Sequence, residues 1–126
     1  MERSMSKVKR ILRSFSFAVK GIAHAVRSER NMKIHLIIAT LSIVLGFVLR
    51  LNYIEWVLIL ILAGLVLAFE CLNTAFEAIV DRYSSEINPL SRIAKDTAAG
   101  AVLITAILAF IAGLIIYLHA LFRLLG

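Results

Sequence analysis

The sequence has 126 residues, of which 61% are hydrophobic, with one proline, one cysteine and a net charge of +6. This apolar content excludes an ordinary soluble domain of the same size and indicates a membrane protein. The basic residues crowd beside an apolar segment without interleaved aromatics, so anionic lipid headgroups suit them better than nucleic acid does. The single Cys71 excludes an internal disulfide and is interpreted as a small packing residue.

The first predicted element is a helix over about residues 5–28. Its apolar residues recur with the spacing of one helical face, and Lys, Arg and His project from the other side: the apolar set is Val8, Ile11, Leu12, Phe15, Val19, Ile22 and Val26. This pattern is typical of an amphipathic helix that lies in the membrane interface. An amphipathic helix of a soluble core is the alternative, which the apolar segments that follow disfavour.

Three transmembrane helices are predicted at 31–50, 54–83 and 90–122. A bilayer takes about 20 helical residues, so the spans nearly exhaust the chain and residues 1–126 form a single membrane domain. Before the last span, Asn88 is predicted to cap the helix and Pro89 to occupy its first turn.

Small residues recur at every fourth position along the last span and form a ridge: Thr97, Ala101, Thr105, Ala109 and Gly113. Such a ridge lets another helix approach closely in lipid. Because three helices enclose little interior, an oligomer is expected, although the ridge could pack within one chain or between two.

The basic residues also predict the orientation in the membrane. Nine of the fourteen Lys and Arg precede the first span, one lies between spans one and two, three lie between spans two and three, and one follows. The positive-inside rule then places the N-terminus and the second loop in the cytoplasm and the C-terminus outside.

The stretch FECLNTAFEAIVDR, residues 69–82, sets acids into the continuation of an apolar run. On a helix, Glu70, Asn73, Thr74, Glu77 and Asp81 fall on one face, within about 60° of Glu70. Acids at membrane depth cost roughly 2.5–3.5 kcal/mol each, so this face should point to a cavity or a cation. Glu70 lies about 18 Å and Glu77 about 7.5 Å along the helix from Arg82. That gradient suits chemistry between a water-soluble and a lipid-soluble reactant.

Lys95 and Asp96 are expected near these acids on the cytoplasmic side, where a lysine beside carboxylates and a helix start could bind phosphate. Oxygen ligands without a Cys or His cluster favour Mg²⁺ over zinc or iron. Alternatively, the carboxylates pair with Arg27, Arg30 or Lys95 and only fix helix packing. No standard soluble nucleotide-binding signature is present.

The segments ECLNTAFEAIVD (70–81), AKDTAAGAVL (94–103), KG (20–21) and SERNMKIH (28–35) resemble the small integral-membrane bacterial diacylglycerol kinases. This resemblance covers nearly the whole chain. It implies a homotrimer of three-span subunits with a surface helix, which phosphorylates a lipid alcohol with MgATP. ERNMKIH and AKDTAAGAV look like the Gram-positive branch, which acts mainly on undecaprenol. Asn88 departs from that branch, where a His often precedes PL.

The resemblance also implies roles for individual residues. Glu70 would be the general base, and Glu29 and Glu77 would bind the metal ions that bridge the ATP phosphates. Asn73 and Asp81 would support the site. The nucleotide and its phosphates would contact the metal-binding glutamates together with Arg10, Lys95 and Asp96.

Two other functions remain open on the residues alone. A small proton-coupled transporter could use a buried Glu70, but it needs access from both sides, and the polar residues gather at one membrane face. A structural or regulatory membrane oligomer could use the small-residue ridge, but it leaves the acidic face unexplained.

Overall fold

The computed structural model describes residues 6–83 and 88–126, and it confirms the predicted all-α membrane fold with an N-terminal helix. Four helices follow one another along the chain: α1 Ser6–Ser28, α2 Arg30–Val48, α3 Tyr53–Tyr83 and α4 Pro89–Leu125. In the described part, α2, α3 and α4 are long and apolar enough to cross a membrane. They run up, down and up, so the bundle has two ends. We call the end that holds Glu29 the carboxylate end and the other the opposite end.

Most large hydrophobic side chains point away from the bundle. Leu12 and Phe15 of α1, Phe47 of α2 and Phe110 of α4 are each more than 60% exposed in the isolated chain. An aqueous protein does not expose this much apolar surface, whereas helices that face lipid or another subunit do. The few buried apolar residues therefore hold the subunit together only in part.

A single residue separates α1 from α2. Glu29 has an extended backbone, with φ −110° and ψ 120°, and its side chain makes no capping hydrogen bond to α2. Its amide still donates to the carbonyl of Ala25 at 3.0 Å, so the chain turns with no intervening loop. The carboxylate of Glu29 is thus free to interact with another element.

The inward stripe of α3 carries an acid near each end of an apolar middle. Glu55, Ile59, Val66 and Glu70 are all buried, and their spacing keeps them on one side of the helix. This stripe explains the acidic face: Glu70 continues the line of residues that α3 turns toward its neighbours.

Helix α4 packs mainly on α3. Of the predicted small-residue ridge, Thr97 is exposed, the next three residues are partly buried and Gly113 is buried. The hydroxyl of Thr105 donates back to the carbonyls of Ala101 and Val102, at 3.1 and 2.9 Å. Part of the ridge is therefore covered within the same chain, which the sequence left open.

The predicted start of α4 is confirmed. Asn88 Oδ1 accepts a hydrogen bond from the amide of Leu90 at 2.9 Å, and Pro89 occupies the first turn. Asn88 therefore has a local structural role at the position where it departs from the branch pattern. Helix α4 continues to Leu125, beyond the expected 122.

The turn between α2 and α3 is a compact helix stop. The amide of Leu51 donates to the carbonyl of Gly46 and that of Arg50 to Phe47, the paired bonds of a Schellman motif. Arg50 takes the left-handed conformation that this motif requires, with φ 55°. A non-glycine residue there costs roughly 1 kcal/mol.

A polar cluster at the opposite end ties this turn to the end of α4. Asn52 and Glu55 bond each other's backbone amides at 3.0 and 2.9 Å, a reciprocal cap for α3. Arg123 binds both oxygens of the Glu55 carboxylate, at 2.6 and 2.9 Å, and also donates to the carbonyl of Arg50 at 3.2 Å. Residues 68 positions apart are thereby joined.

Candidate active site

The polar face of α3 is graded from buried to exposed. Glu70 is 1% exposed, Asn73 and Thr74 are also buried, Glu77 is partly buried and Asp81 is exposed. The order follows their distance from the end of the helix, as the sequence predicted. A reactant from water can thus reach the outer acids directly, while Glu70 lies at the inner limit of the polar face.

Glu70 is buried without a hydrogen bond to either carboxylate oxygen in the described part of the chain. The hydroxyl of Thr74 bonds the backbone carbonyl of Glu70 at 3.0 Å and leaves the carboxylate untouched. Buried carboxylates are normally hydrogen-bonded, and an unsatisfied one costs free energy. Its oxygens are therefore available to a substrate.

His35 of α2 lies beside this carboxylate. Its Nε2 lies 3.6 Å from Glu70 Oε2, close enough for an electrostatic contact and too long for a hydrogen bond. Glu77, seven residues further along α3, is the other charged neighbour that interacts electrostatically with Glu70. Glu70 thus has a potential cation on one side and an acid on the other.

Glu29 and Glu77 form a pair of facing acids at the carboxylate end. The side chain of Glu77 interacts with that of Glu29 and with the Asn73 amide, and Lys95 lies within electrostatic range. The two carboxylates come from the α1–α2 junction and from α3, so the fold itself brings them together. Two carboxylates in contact repel each other unless a proton or a cation lies between them.

The donor set of this pair fits Mg²⁺. In the described ranges, no three His, Cys, Asp or Glu side chains gather as a complete metal site. Mg²⁺ is typically held by one or two carboxylates together with substrate phosphates and water, so an incomplete protein shell suits it. The buried Oδ1 of Asn73 also has no hydrogen-bond partner among the described residues and offers a further neutral oxygen.

The remaining predicted site residues divide into two groups. Lys95 lies at the pair of acids and makes an ion pair with Asp81 at 2.5 Å, so both sit at the carboxylate end. Asp96 instead pairs with Arg92 on its own helix, at 3.3 Å. Arg10 is exposed on α1, fifteen residues before the buried Ala25 that anchors this helix, and the structure describes no ion pair for it.

An apolar groove runs along the bundle from Glu70's partner His35 toward the opposite end. It has a volume of about 560 Å³ and is lined by residues of α2, α3 and α4, with His35 and Ser42 among mostly aliphatic side chains. Tyr117 closes its far part and donates a hydrogen bond to the carbonyl of Ser42 at 2.7 Å. An apolar chain fits such a groove, with its polar end toward Glu70.

The structure also adds residues that the sequence reasoning did not single out. His35 is a titratable side chain inside the first apolar segment, and intramembrane ionisable residues are candidates for function by default. That signal could have identified it. Cys71, interpreted as a packing residue, has no disulfide and lines a small gap between α1 and α3.

Comparison with known proteins identifies the family of this chain. Residues 16–117 match the family model described as Prokaryotic diacylglycerol kinase. The chain therefore belongs to the prokaryotic diacylglycerol kinase family, and it is a lipid kinase of the bacterial membrane type.

Individual relatives carry two different names. Undecaprenol kinase from Bacillus subtilis (strain 168) is 40% identical over 90% of this chain and 92% of its own length. Diacylglycerol kinase from Escherichia coli (strain K12) is 36% identical, over 81% of this chain and 84% of that protein. Diacylglycerol kinase from Synechocystis sp. (strain ATCC 27184 / PCC 6803 / Kazusa) is 38% identical, over 82% of this chain and 59% of that protein.

Family membership decides among the functions left open by the residues. A lipid kinase needs a site at one membrane face, and Glu29, the acids of the α3 polar face and Lys95 gather at the carboxylate end of the bundle. The transporter and the purely structural oligomer are not supported. The alternative in which the acids pair with Arg27, Arg30 or Lys95 holds in the described ranges for Asp81, which pairs with Lys95, whereas Glu70 lies beside His35.

Proposed function

We propose that this protein transfers the γ-phosphate of ATP to the hydroxyl of undecaprenol, with Glu70 as general base. The observation that carries the proposal is the Glu70 carboxylate, which is 1% exposed and has no hydrogen bond in the described chain. It lies at the inner end of a polar face and beside the apolar groove. A base at this boundary can accept the proton of a lipid hydroxyl on a carboxylate oxygen that no described donor occupies.

The chemical step follows from this placement. Glu70 accepts the proton of the lipid hydroxyl as the oxygen forms its bond to the γ-phosphorus. The bond from that phosphorus to the β–γ bridging oxygen breaks, and ADP leaves. The proton remains on the Glu70 carboxyl until it is released. Phosphoryl transfer of this kind depends mainly on positioning and on charge neutralisation.

Glu29 and Glu77 are proposed to hold Mg²⁺, with Asn73 as a neutral oxygen neighbour. When bound, Mg²⁺ neutralises the charge of the ATP phosphates. Without a cation, the contact between Glu77 and Glu29 brings two acids together, which supports this assignment. Asn73 also orients the outer carboxylate that it contacts.

Lys95 is proposed to contact the phosphates, and Asp81 to hold Lys95 in place. Their ion pair at 2.5 Å supports this arrangement, because it fixes the ammonium group beside Glu77. Asp96 and Arg10 remain proposed nucleotide contacts. Both are exposed in the single chain, so they can serve nucleotide or another subunit of the proposed homotrimer.

Undecaprenol is favoured as the acceptor over diacylglycerol. The undecaprenol kinase of Bacillus subtilis matches this chain at 40% identity over 92% of its own length, and the groove offers aliphatic walls for an isoprenoid chain. Diacylglycerol is the second candidate, because other relatives bear that substrate in their names.

The acceptor is tested with purified protein and labelled ATP, with each lipid supplied separately in the same mixed micelles. We expect kcat/KM for undecaprenol to exceed that for diacylglycerol by at least about tenfold, a difference of roughly 1.4 kcal/mol in transition-state binding. Glu70→Gln protein is the matched control for activity from this site. A preference for diacylglycerol would make the second candidate the function.

A further inference from the structure

We propose that His35 is a positioning residue for the reaction, which orients the Glu70 carboxylate through its Nε2–H. The inference rests on the proposed role of Glu70 as general base. It extends that role by naming the side chain that orients the carboxylate of the base.

Geometry supports the assignment first. His35 Nε2 lies 3.6 Å from Glu70 Oε2, and closing this gap to hydrogen-bond length takes a movement of about half an ångström. The imidazole is 19% exposed while the carboxylate is 1% exposed, so His35 is the more accessible member of the pair. Either the cationic ring or the neutral Nε2–H tautomer can donate this bond.

Among the charged groups described around the pair, none competes with His35 as a hydrogen-bond donor to the Glu70 carboxylate. On α3, Glu70 is flanked by Glu77; at the α1–α2 junction Glu29 contacts Glu77; and on α4 Lys95 is held by Asp81. Among these described neighbours, only Lys95 is a cation, and its ion pair directs it to the outer acids. The inner carboxylate therefore depends on His35 for a donor.

The position of His35 also relates it to the lipid. Its ring lines the apolar groove at the end where Glu70 lies. A hydroxyl that arrives along the groove therefore meets a base whose lone pairs have been set by the ring beside it. Pre-orientation of a catalytic group increases the reaction rate because the group need not reorganise at the moment of reaction.

The test compares His35→Ala with His35→Gln, each measured at saturating lipid and MgATP. A hydrogen bond to a charged group corresponds to about 10- to 100-fold in rate, so we expect His35→Ala to lose kcat by that factor. The KM for MgATP should stay within about twofold, since the outer acids are untouched. His35→Gln retains an amide donor and should recover most of the loss.

His119→Ala is the matched control. It removes an exposed imidazole from α4 at the opposite end of the bundle, and its kcat should equal that of the unmodified protein. Thermal unfolding in detergent accompanies each variant, so a loss of kcat is assigned to His35 only in protein that unfolds at the usual temperature.

A double-mutant cycle shows whether His35 acts through Glu70. In a Glu70→Gln background, His35→Ala should change kcat by less than about twofold, because the base that it orients is gone. An undiminished effect would overturn the proposal, as would normal kcat in His35→Ala or equal losses in the Ala and Gln variants. Near-normal turnover of Glu70→Gln alone would instead refute the general-base role, which is a separate result.

Discussion

Glu70 and Glu77 have the same chemistry but different surroundings on one face of α3. Glu70 is enclosed and contacts His35, whereas Glu77 is partly exposed and contacts Glu29, Asn73 and Lys95. About 10.5 Å of helix axis separates the two carboxylates' residues, so they cannot bind the same atom. The difference in neighbours is the basis for assigning them different roles.

We predict that Glu77→Gln weakens MgATP binding, because it removes a charge from the proposed Mg²⁺ site. Excess Mg²⁺ or another divalent ion should restore part of the activity. Glu70→Gln should leave MgATP affinity nearly intact and reduce turnover by roughly 10²-fold or more, the scale for loss of a general base. Titration of nucleotide binding and single-turnover kinetics measure the two effects separately.

The two variants are matched controls for each other, since each exchanges one carboxylate for an amide of the same shape. Added metal should not rescue Glu70→Gln. Equal loss of MgATP binding in both variants would contradict the division of roles, and so would partial rescue of the Glu70 variant by divalent ions.

Sequence periodicity identified the acidic face because helical spacing fixes which residues share a side. It could not identify the contact between His35 and Glu70. These residues are 35 positions apart on two different helices, and their contact depends on how the helices are positioned along each other. The same limit applies to Arg123 and Glu55. For Asp96 the local contact prevails: the sequence placed it in the site, but it forms an ion pair with Arg92, four residues before it on the same helix.

At the scale of elements, the end of α2 packs tightly against the start of α3 at Gly46. A Cβ built there would lie 2.6 Å from the ring of Trp56 and 3.0 Å from Leu51. Trp56 is held on its other side by Phe47, with ring centroids 4.8 Å apart. The indole therefore has little freedom to withdraw.

We predict that Gly46→Ala destabilises the bundle by about 1–3 kcal/mol, the usual range for overpacking. Unfolding in detergent, followed by tryptophan fluorescence, measures the change, and Trp56 reports directly because it is the only tryptophan. Gly64→Ala is the matched control, since among residues 6–83 and 88–126 nothing lies within 4 Å of its added methyl group.

The expected order of stability is the unmodified protein and Gly64→Ala together, then Gly46→Ala. A Gly46→Ala protein as stable as its control would show that the turn yields to the methyl group.

Helix identity and approximate ends were predictable here from apolar length and from the Asn88–Pro89 start. The tight contact at Gly46 was not, because it depends on which rotamer Trp56 takes across the turn.

For the whole molecule, three membrane-spanning helices predict termini on opposite sides of the membrane. The excess of Lys and Arg before α2 and between α3 and α4 predicts that the N-terminus and the carboxylate end face the cytoplasm, where ATP is available. The same charges border the proposed nucleotide site. Orientation and function therefore depend on each other.

We predict that a membrane-impermeant thiol reagent applied to intact cells labels Gly126→Cys and misses Ser4→Cys. Both changes are made in a Cys71→Ala background, which removes the native thiol. Ser4 lies outside the described residues and serves only as a label site. Labelling of both after cell lysis is the control for reactivity, and the reverse pattern in intact cells would move the proposed active site to the outside.

The ion pair at the opposite end has a consequence for the order of events during synthesis. Glu55 leaves the ribosome 68 residues before Arg123, the side chain that holds both of its oxygens. At about 5–20 residues per second, the carboxylate waits roughly 3–14 s for its counter-charge. During that interval the Asn52 cap is its nearest support, and α3 enters the membrane with an acid at its leading turn still unpaired. Completion of α4 thus supplies the counter-charge at this end, so the last helix to be made closes the polar cluster at the start of the one before it.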